Sequence, residues 1–123
     1  MADRKNSPST AALPCEGWWD EIGLGRQAME ELKLRIVAGK VTGSGWDVVG
    51  PFTFHGTISE AGTVAMIKQY IGQHQVQYLG NYDGEGSMFG SWRLGNLSDH
   101  WAIRFTRPLT TPTTVGDDVP ELR

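Results

Sequence analysis

Glycine divides the central part of this chain into short, regular segments. Fifteen of the 16 glycines, and all five tryptophans, lie between Gly17 and Trp101. Between the glycines, apolar and polar residues alternate over short runs, which is typical of strands with one buried face. Single glycines and glycine-containing turns separate the runs at about the spacing found in small β-sandwiches and barrels. The pattern therefore predicts an all-β domain.

Proline and small polar residues set both ends of the chain apart from its centre. Residues 1–14 contain Pro8 and Pro14 among polar side chains, and we expect a disordered or docked N-terminal arm there. Residues 107–123 contain three prolines and several threonines, and we expect an extended C-terminal arm. Residues 15–106 then form one β domain with a modest core.

Seven or eight short strands can be assigned between these arms. The cleanest alternation runs from Phe52 to Ile58, and residues 83–86, Asp-Gly-Glu-Gly, are a strong hairpin signal. Residues 26–34 are ambiguous, because their glutamates and glutamine favour a helix while their leucines begin to alternate. We prefer a strand from about Glu31, and we allow at most one short helix, within residues 24–34.

The short connections leave no room for crossover helices, so the strands should form an antiparallel meander. A meander of this length tends to close on itself, because closure removes unpaired edges. We therefore predict a small up-and-down barrel or a strongly curled sheet. The interior of an eight-stranded barrel is filled by side chains or holds one small ligand.

The start of the folded part carries a short motif, Gly17-Trp18-Trp19. It resembles the Gly-x-Trp start of lipocalins and other calycin barrels. The resemblance implies that a tryptophan closes one end of the barrel. It also implies that a basic residue of the last strand, here Arg104, covers that tryptophan.

A longer part of the chain, about half of it, resembles small uncharacterised β-domains. The matching residues are Gly43, Gly45, Asp47, Gly50, Phe52, Lys68, Tyr70, Gly72, His74, Val76, Tyr78, Gly80, Gly90 and Trp92. No activity is established for such domains, so this resemblance implies a fold and not a function.

Polar residues on one predicted hairpin are the main candidates for a site, with Trp46 and Asp47 on a nearby connection. These candidates are Lys68, Tyr70, His74 and Tyr78. Their placement depends on the turn between the two strands, because a slip of one residue moves a whole strand to the other face.

Two registers are open. With a two-residue turn at Gly72-Gln73, Lys68 and Tyr70 face outward. With a three-residue loop, both residues share the inner face with Tyr78. An inward lysine beside these tyrosines is suited to binding an anionic or carbonyl-bearing ligand, or to acid–base chemistry. The simpler interpretation is a solvated lysine, because lysines are almost never fully buried unless paired.

The strand over residues 63–71 carries apolar side chains on both faces, with Met66 on one face and Ile67 on the other. A strand covered on one side only does not need this. We expect an apolar cover on its outer face, supplied by an arm, a second copy of the chain or another protein, and we assign Met66 and Leu79 to that contact.

Several classes of function lack support in the sequence. The formal net charge is -3 without a basic run, which argues against nucleic-acid binding. No apolar run has the length of a membrane span. The histidines are scattered and Cys15 is alone, so we predict neither a metal site nor a cofactor. The polar N-terminus and the single cysteine favour a cytoplasmic location.

The sequence favours a non-enzymatic barrel that binds a partner protein or a small apolar ligand, either alone or as an accessory subunit of a larger assembly. The alternative is a small barrel enzyme, of the isomerase or cyclase kind, that acts on one small substrate. It would use Lys68, Tyr70, His74 and Tyr78 for acid–base or hydrogen-bonding chemistry.

Overall fold

A computed structural model describes residues 11–106 of the chain. Eight antiparallel strands follow one another and form a closed barrel, in which each strand pairs with the next and the last pairs with the first. The strands are β1 (Leu13–Glu21), β2 (Gly25–Val37), β3 (Lys40–Trp46), β4 (Pro51–Ile58), β5 (Thr63–Tyr70), β6 (Gln75–Tyr82), β7 (Ser87–Leu94) and β8 (Leu97–Phe105). The predicted all-β class and the up-and-down barrel are confirmed.

The predicted arms lie largely outside the described residues. Strand β1 begins at Leu13, two residues before the predicted start of the domain, and Leu13 pairs with Leu34 of β2. Within residues 11–106 no helix has the length and apolarity needed to cross a membrane.

The ambiguous segment is a strand throughout, and a β-bulge explains its mixed pattern. The register of β2 shifts between Met29 and Lys33 against β1 and between Glu30 and Lys33 against β3, and Glu31 has a positive φ of 50°. The extra residue separates the inward side chains of Met29 and Leu32 by three positions instead of two. The bulge therefore interrupts the strict alternation that would have identified residues 26–34 as a strand.

Aromatic side chains fill much of the interior. Neighbouring rings in the series Tyr70, Phe52, Phe54, Tyr78 and Trp101 have centroids 5.1–5.8 Å apart. Such contacts are favourable beyond the apolar area that they bury. They form a continuous row of ring contacts within the barrel.

Paired glycines make room for the largest of these rings. Gly80 of β6 pairs with Gly90 of β7, and a Cβ at either position would collide with backbone atoms of the other strand. Trp101 pairs with Gly90, and its indole N–H donates to the carbonyls of Leu79 (3.2 Å) and Ser91 (3.0 Å). The indole therefore packs against the glycine pair.

The turn between β5 and β6 has the three-residue form. Lys68 pairs with Val76, and the Tyr70 N–H donates to the carbonyl of His74, which leaves residues 71–73 as the loop. Lys68 and Tyr70 therefore point into the barrel, 1% and 3% exposed. The two-residue turn is wrong, and so is the interpretation of Lys68 as a solvated lysine.

This register also reverses the predicted faces of β5. Met66 lies in the core with 1% of its surface exposed, so it cannot form part of an outer contact. Leu79 of β6 is 45% exposed on the outer surface, where Phe89 of β7 is exposed as well.

The Gly-x-Trp segment folds in a different way from the calycin resemblance. Trp19 is buried and packs edge-on against Trp92, with centroids 6.1 Å apart. Trp18 lies on the outer face, where the Arg26 guanidinium sits 3.5 Å from its ring centroid. Arg104 also faces outward, because its neighbours in β8 face inward, and it bonds Glu16 at 2.7 Å. The predicted cover of a tryptophan by Arg104 is wrong.

Alternate loops lie at opposite ends of the barrel. Residues 22–24, 47–50, 71–74 and 95–96 connect strands at one end, which we call the cavity end. Residues 38–39, 59–62 and 83–86 connect strands at the opposite end. The candidate site lies at the cavity end.

Candidate functional site

Asp47 is the centre of a buried polar network at the cavity end. It follows β3 in a tight loop, closed by two backbone hydrogen bonds between Asp47 and Gly50 of 3.0 and 3.1 Å. Its Oδ1 accepts the Val49 N–H at 2.9 Å. The loop thereby turns the carboxylate back into the barrel, where Asp47 is 3% exposed.

Three side chains converge on the other carboxylate oxygen. Asp47 Oδ2 accepts hydrogen bonds from Lys68 Nζ (2.7 Å), the Tyr70 hydroxyl (2.8 Å) and Trp19 Nε1 (3.0 Å). All four groups around the Asp47 carboxylate donate hydrogen bonds to it. This position therefore requires a side chain that only accepts hydrogen bonds. An ionised carboxylate meets this requirement and also neutralises the buried lysine.

Aromatic rings surround the ammonium of Lys68. Its Nζ lies 4.3 Å from the ring centroid of Phe52, 4.9 Å from Tyr70, 5.3 Å from Trp19 and 5.4 Å from Tyr78. These distances fall within the range of cation–π attraction. The ammonium also donates to the Tyr78 hydroxyl at 3.2 Å.

Burial shifts the titration of this network. Desolvation lowers the pKa of Lys68 to about 8, although the hydrogen bond and the charge of Asp47 oppose the shift. Desolvation and the nearby Asp47 carboxylate raise the pKa of Tyr70 and of Tyr78 well above the usual value for tyrosine. At neutral pH Lys68 is therefore mainly an ammonium, and both tyrosines carry neutral hydroxyls.

A small cavity opens in front of this network. Its volume is about 70 Å³. It is lined by Trp19, Glu21, Val49, Tyr70, His74, Val76, Tyr78, Trp92, Leu94 and Leu97. Neither Asp47 nor Lys68 is a lining residue, so the tyrosines and Trp19 separate the ion pair from the cavity.

Exposed apolar residues lie at the same end of the barrel as the cavity, and we call them the apolar rim. Each of the loops at residues 22–24, 47–50 and 71–74 carries at least one of them. The remaining one, Leu97, is the first residue of β8. The rim consists of Ile22 (90% exposed), Leu24 (52%), Val48 (67%), Ile71 (58%) and Leu97 (54%). The loops at the opposite end carry no large apolar side chain.

The structure brings together four of the predicted site residues and separates the rest. Asp47, Lys68, Tyr70 and Tyr78 form the network. His74 is exposed at the mouth of the cavity, with its ring 5.1 Å from that of Tyr70.

Trp46 lies outside this group. It is 47% exposed and lines a separate surface groove with Phe52 and Ile71. Of the two other residues assigned to a partner contact, Met66 is in the core and Leu79 is on the side of the barrel.

Several residues of the cavity end did not emerge from the sequence as site residues. These are Glu21, Trp92 and the apolar rim. A usable signal was present, because apolar residues occur in three of the four turns at this end, where turn residues are ordinarily polar. That signal has meaning only once the alternate loops are known to meet at one end.

Comparison with other proteins adds no assignment. The chain matches no protein-family model and no curated protein. Within residues 11–106, no three histidine, cysteine, aspartate or glutamate side chains lie close enough together to hold a metal ion.

Proposed function

We propose that this protein is a non-enzymatic binding module that receives one small group of a partner in the cavity end of its barrel. The observation that carries the proposal is the apolar rim at the cavity end. Exposed apolar residues scattered over a surface need no explanation, but their grouping at one end is typical of an interaction site.

The size of the cavity favours a partner that inserts a single group. Pockets that enclose whole small molecules have volumes of roughly 300–1,000 Å³, whereas this cavity holds about 70 Å³. A protein surface that presents one side chain to the cavity and apolar contacts to the rim fits these dimensions. Buried anchors of this kind carry much of the affinity in protein interfaces.

The polar network supports a binding role more than a catalytic one. A general acid or base must come within hydrogen-bond distance of the substrate. Lys68 and Asp47 bond each other and do not line the cavity. The Tyr70 hydroxyl already donates to Asp47. The network instead fastens the loop at residues 47–50 to β1 and β5, which holds Val49 against the cavity.

The proposal is tested by affinity capture from cells that contain the protein, with wild-type and variant proteins as bait. The rim variant carries Ile22→Ser and Ile71→Ser. The control carries Leu79→Ser and Phe89→Ser, which remove similar apolar area from the side of the barrel. We expect partners that the wild type and the control retain and the rim variant loses. Loss with the control and retention with the rim variant would move the site to β6 and β7.

A further inference from the structure

The walls of the cavity specify the chemistry of the group that enters it. Four of the ten lining residues are aromatic: Trp19, Tyr70, Tyr78 and Trp92. Aromatic rings present negative electrostatic potential on their faces, and several of them around one space are suited to a cation.

The charge at the cavity end has the matching sign. Glu21 lines the cavity and forms no ion pair with any residue in the part of the chain that the structure describes. Glu30, which pairs with Trp46 at the end of β3, is also exposed. Lys68 contributes no net charge, because Asp47 lies 2.7 Å from it. Glu21 therefore offers a counter-charge to a cation at the mouth of the cavity.

The rings at this end already hold one cation. Three of the four aromatic lining residues, Trp19, Tyr70 and Tyr78, also lie within 5.4 Å of the Lys68 ammonium. These rings thus stabilise a positive charge on the inner side of the cavity wall, and the Asp47 carboxylate offsets the repulsion that a second cation would feel.

The hydrogen-bonding capacity of the walls distinguishes between kinds of cation. A primary ammonium carries three N–H donors that need acceptors. The hydroxyls of Tyr70 and Tyr78 are bonded to Asp47 and Lys68, so Glu21 and His74 are the polar lining residues left to accept such donors, and the other lining residues are apolar or aromatic. A quaternary ammonium has no N–H group, so it can enter without leaving a donor unsatisfied.

We infer that the cavity binds a methylated ammonium group, with the aromatic side chains as its walls and Glu21 as its counter-charge. This inference rests on the proposed function, since it names the group that the cavity receives. Two sources carry the same chemistry: a methylated lysine of a partner protein, and a free molecule such as choline.

The test is a titration of the full-length, isotope-labelled protein, followed by the indole N–H signals of its tryptophans in NMR spectra. The probes are choline and its neutral isostere, in which carbon replaces the quaternary nitrogen. We expect choline to bind about tenfold more tightly than the isostere, with shifts centred on Trp19 and Trp92. Equal binding of the two probes, or no binding of choline, overturns the inference.

Matched variants test whether choline binds in the cavity. Glu21→Gln should weaken choline several-fold and leave the isostere unchanged, whereas Glu60→Gln, the same change in a loop at the opposite end, should alter neither. Trp92→Leu should weaken choline as well, and its spectrum shows directly whether the barrel is folded. Unchanged choline binding in Glu21→Gln would contradict the assigned counter-charge.

Two peptides with the same sequence, one with trimethyllysine and one with lysine, separate the sources. If the protein binds the trimethyllysine peptide more tightly than choline, the source of the methylated ammonium is a partner protein. If it binds choline more tightly, the source is a free molecule. Failure of the inference leaves the proposed function testable, because capture of a partner through the apolar rim depends on Ile22 and Ile71 and not on choline.

Discussion

Replacing Asp47 by asparagine removes the charge at the centre of the buried network while preserving its shape. Lys68, 1% exposed, would then carry an ammonium without a counter-charge. Removing one partner of a buried ion pair lowers the free energy of unfolding by about 3–5 kcal/mol. This is a large fraction of the roughly 5–15 kcal/mol that stabilises an ordinary domain.

The amide also conflicts with its surroundings. In one orientation its NH₂ group faces the Val49 N–H, and in the other it faces Lys68, Tyr70 and Trp19. Either way a donor meets a donor, and an unsatisfied buried group costs about 1–3 kcal/mol. We therefore expect Asp47→Asn to lie toward the upper end of the range for a broken buried ion pair.

Urea denaturation followed by tryptophan fluorescence measures this loss at pH 7. The double variant Asp47→Asn/Lys68→Met removes both charges, so its loss should be smaller than the sum of the two single losses by at least about 1 kcal/mol. Asp20→Asn makes the same change in the exposed pair with Arg26 and should have a much smaller effect, because exposed ion pairs contribute little. A loss below about 1 kcal/mol for Asp47→Asn, or additive single losses, would refute the role given to this network.

Titration, thiol reactivity and backbone packing provide further checks. The pKa of Lys68, lowered to about 8, lies below that of an unfolded lysine, so the unfolded chain binds more protons between pH 8 and 10. The free energy of unfolding should therefore rise over that interval, by up to about 3 kcal/mol. It should fall again at higher pH as Tyr70 and Tyr78 ionise more readily in the unfolded chain. Burial raises the pKa of the Cys15 thiol to about 12, so the native protein should react with a thiol reagent at pH 8 far more slowly than the chain in urea. Gly90→Ala should destabilise the barrel more than Gly84→Ala, because only the first places a Cβ against a neighbouring strand.

A different result would contradict each of these three predictions. A flat or falling stability from pH 8 to 10 in the wild type, with the same profile in Lys68→Met, would show that Lys68 does not titrate there. Equal thiol reactivity in the native and unfolded protein would place Cys15 outside the core. Equal losses for the two glycine variants, measured by thermal unfolding, would contradict the close approach of β6 and β7.

The sequence by itself determined the all-β class and the antiparallel meander, and it left open whether the sheet closes into a barrel. Glycine-containing turns separate short alternating runs, and connections too short for a crossover helix leave only antiparallel neighbours. Local patterns suffice for these conclusions, because alternation and turn composition depend on residues that are close in the chain. The ambiguity of residues 26–34 shows where local information fails, since a bulge changes the spacing of inward side chains there.

Only the tertiary structure decided which residues form the site. The sequence selected Lys68, Tyr70 and Tyr78, but their direction depended on one residue in the loop at 71–73, and a single slip reverses every side chain of a strand. The pairing of Lys68 with Asp47 required the loop after β3 to fold back into the barrel.

The apolar rim and the cavity exist only because the sheet closes into a barrel. Ile22 and Ile71 are far apart in the chain and lie at one end of the barrel only because alternate loops of a closed barrel meet at the same end. Trp19 and Trp92, which lie in β1 and β7, come together across the interior for the same reason. Contacts of this kind depend on the global path of the chain, and no local pattern of residues encodes them.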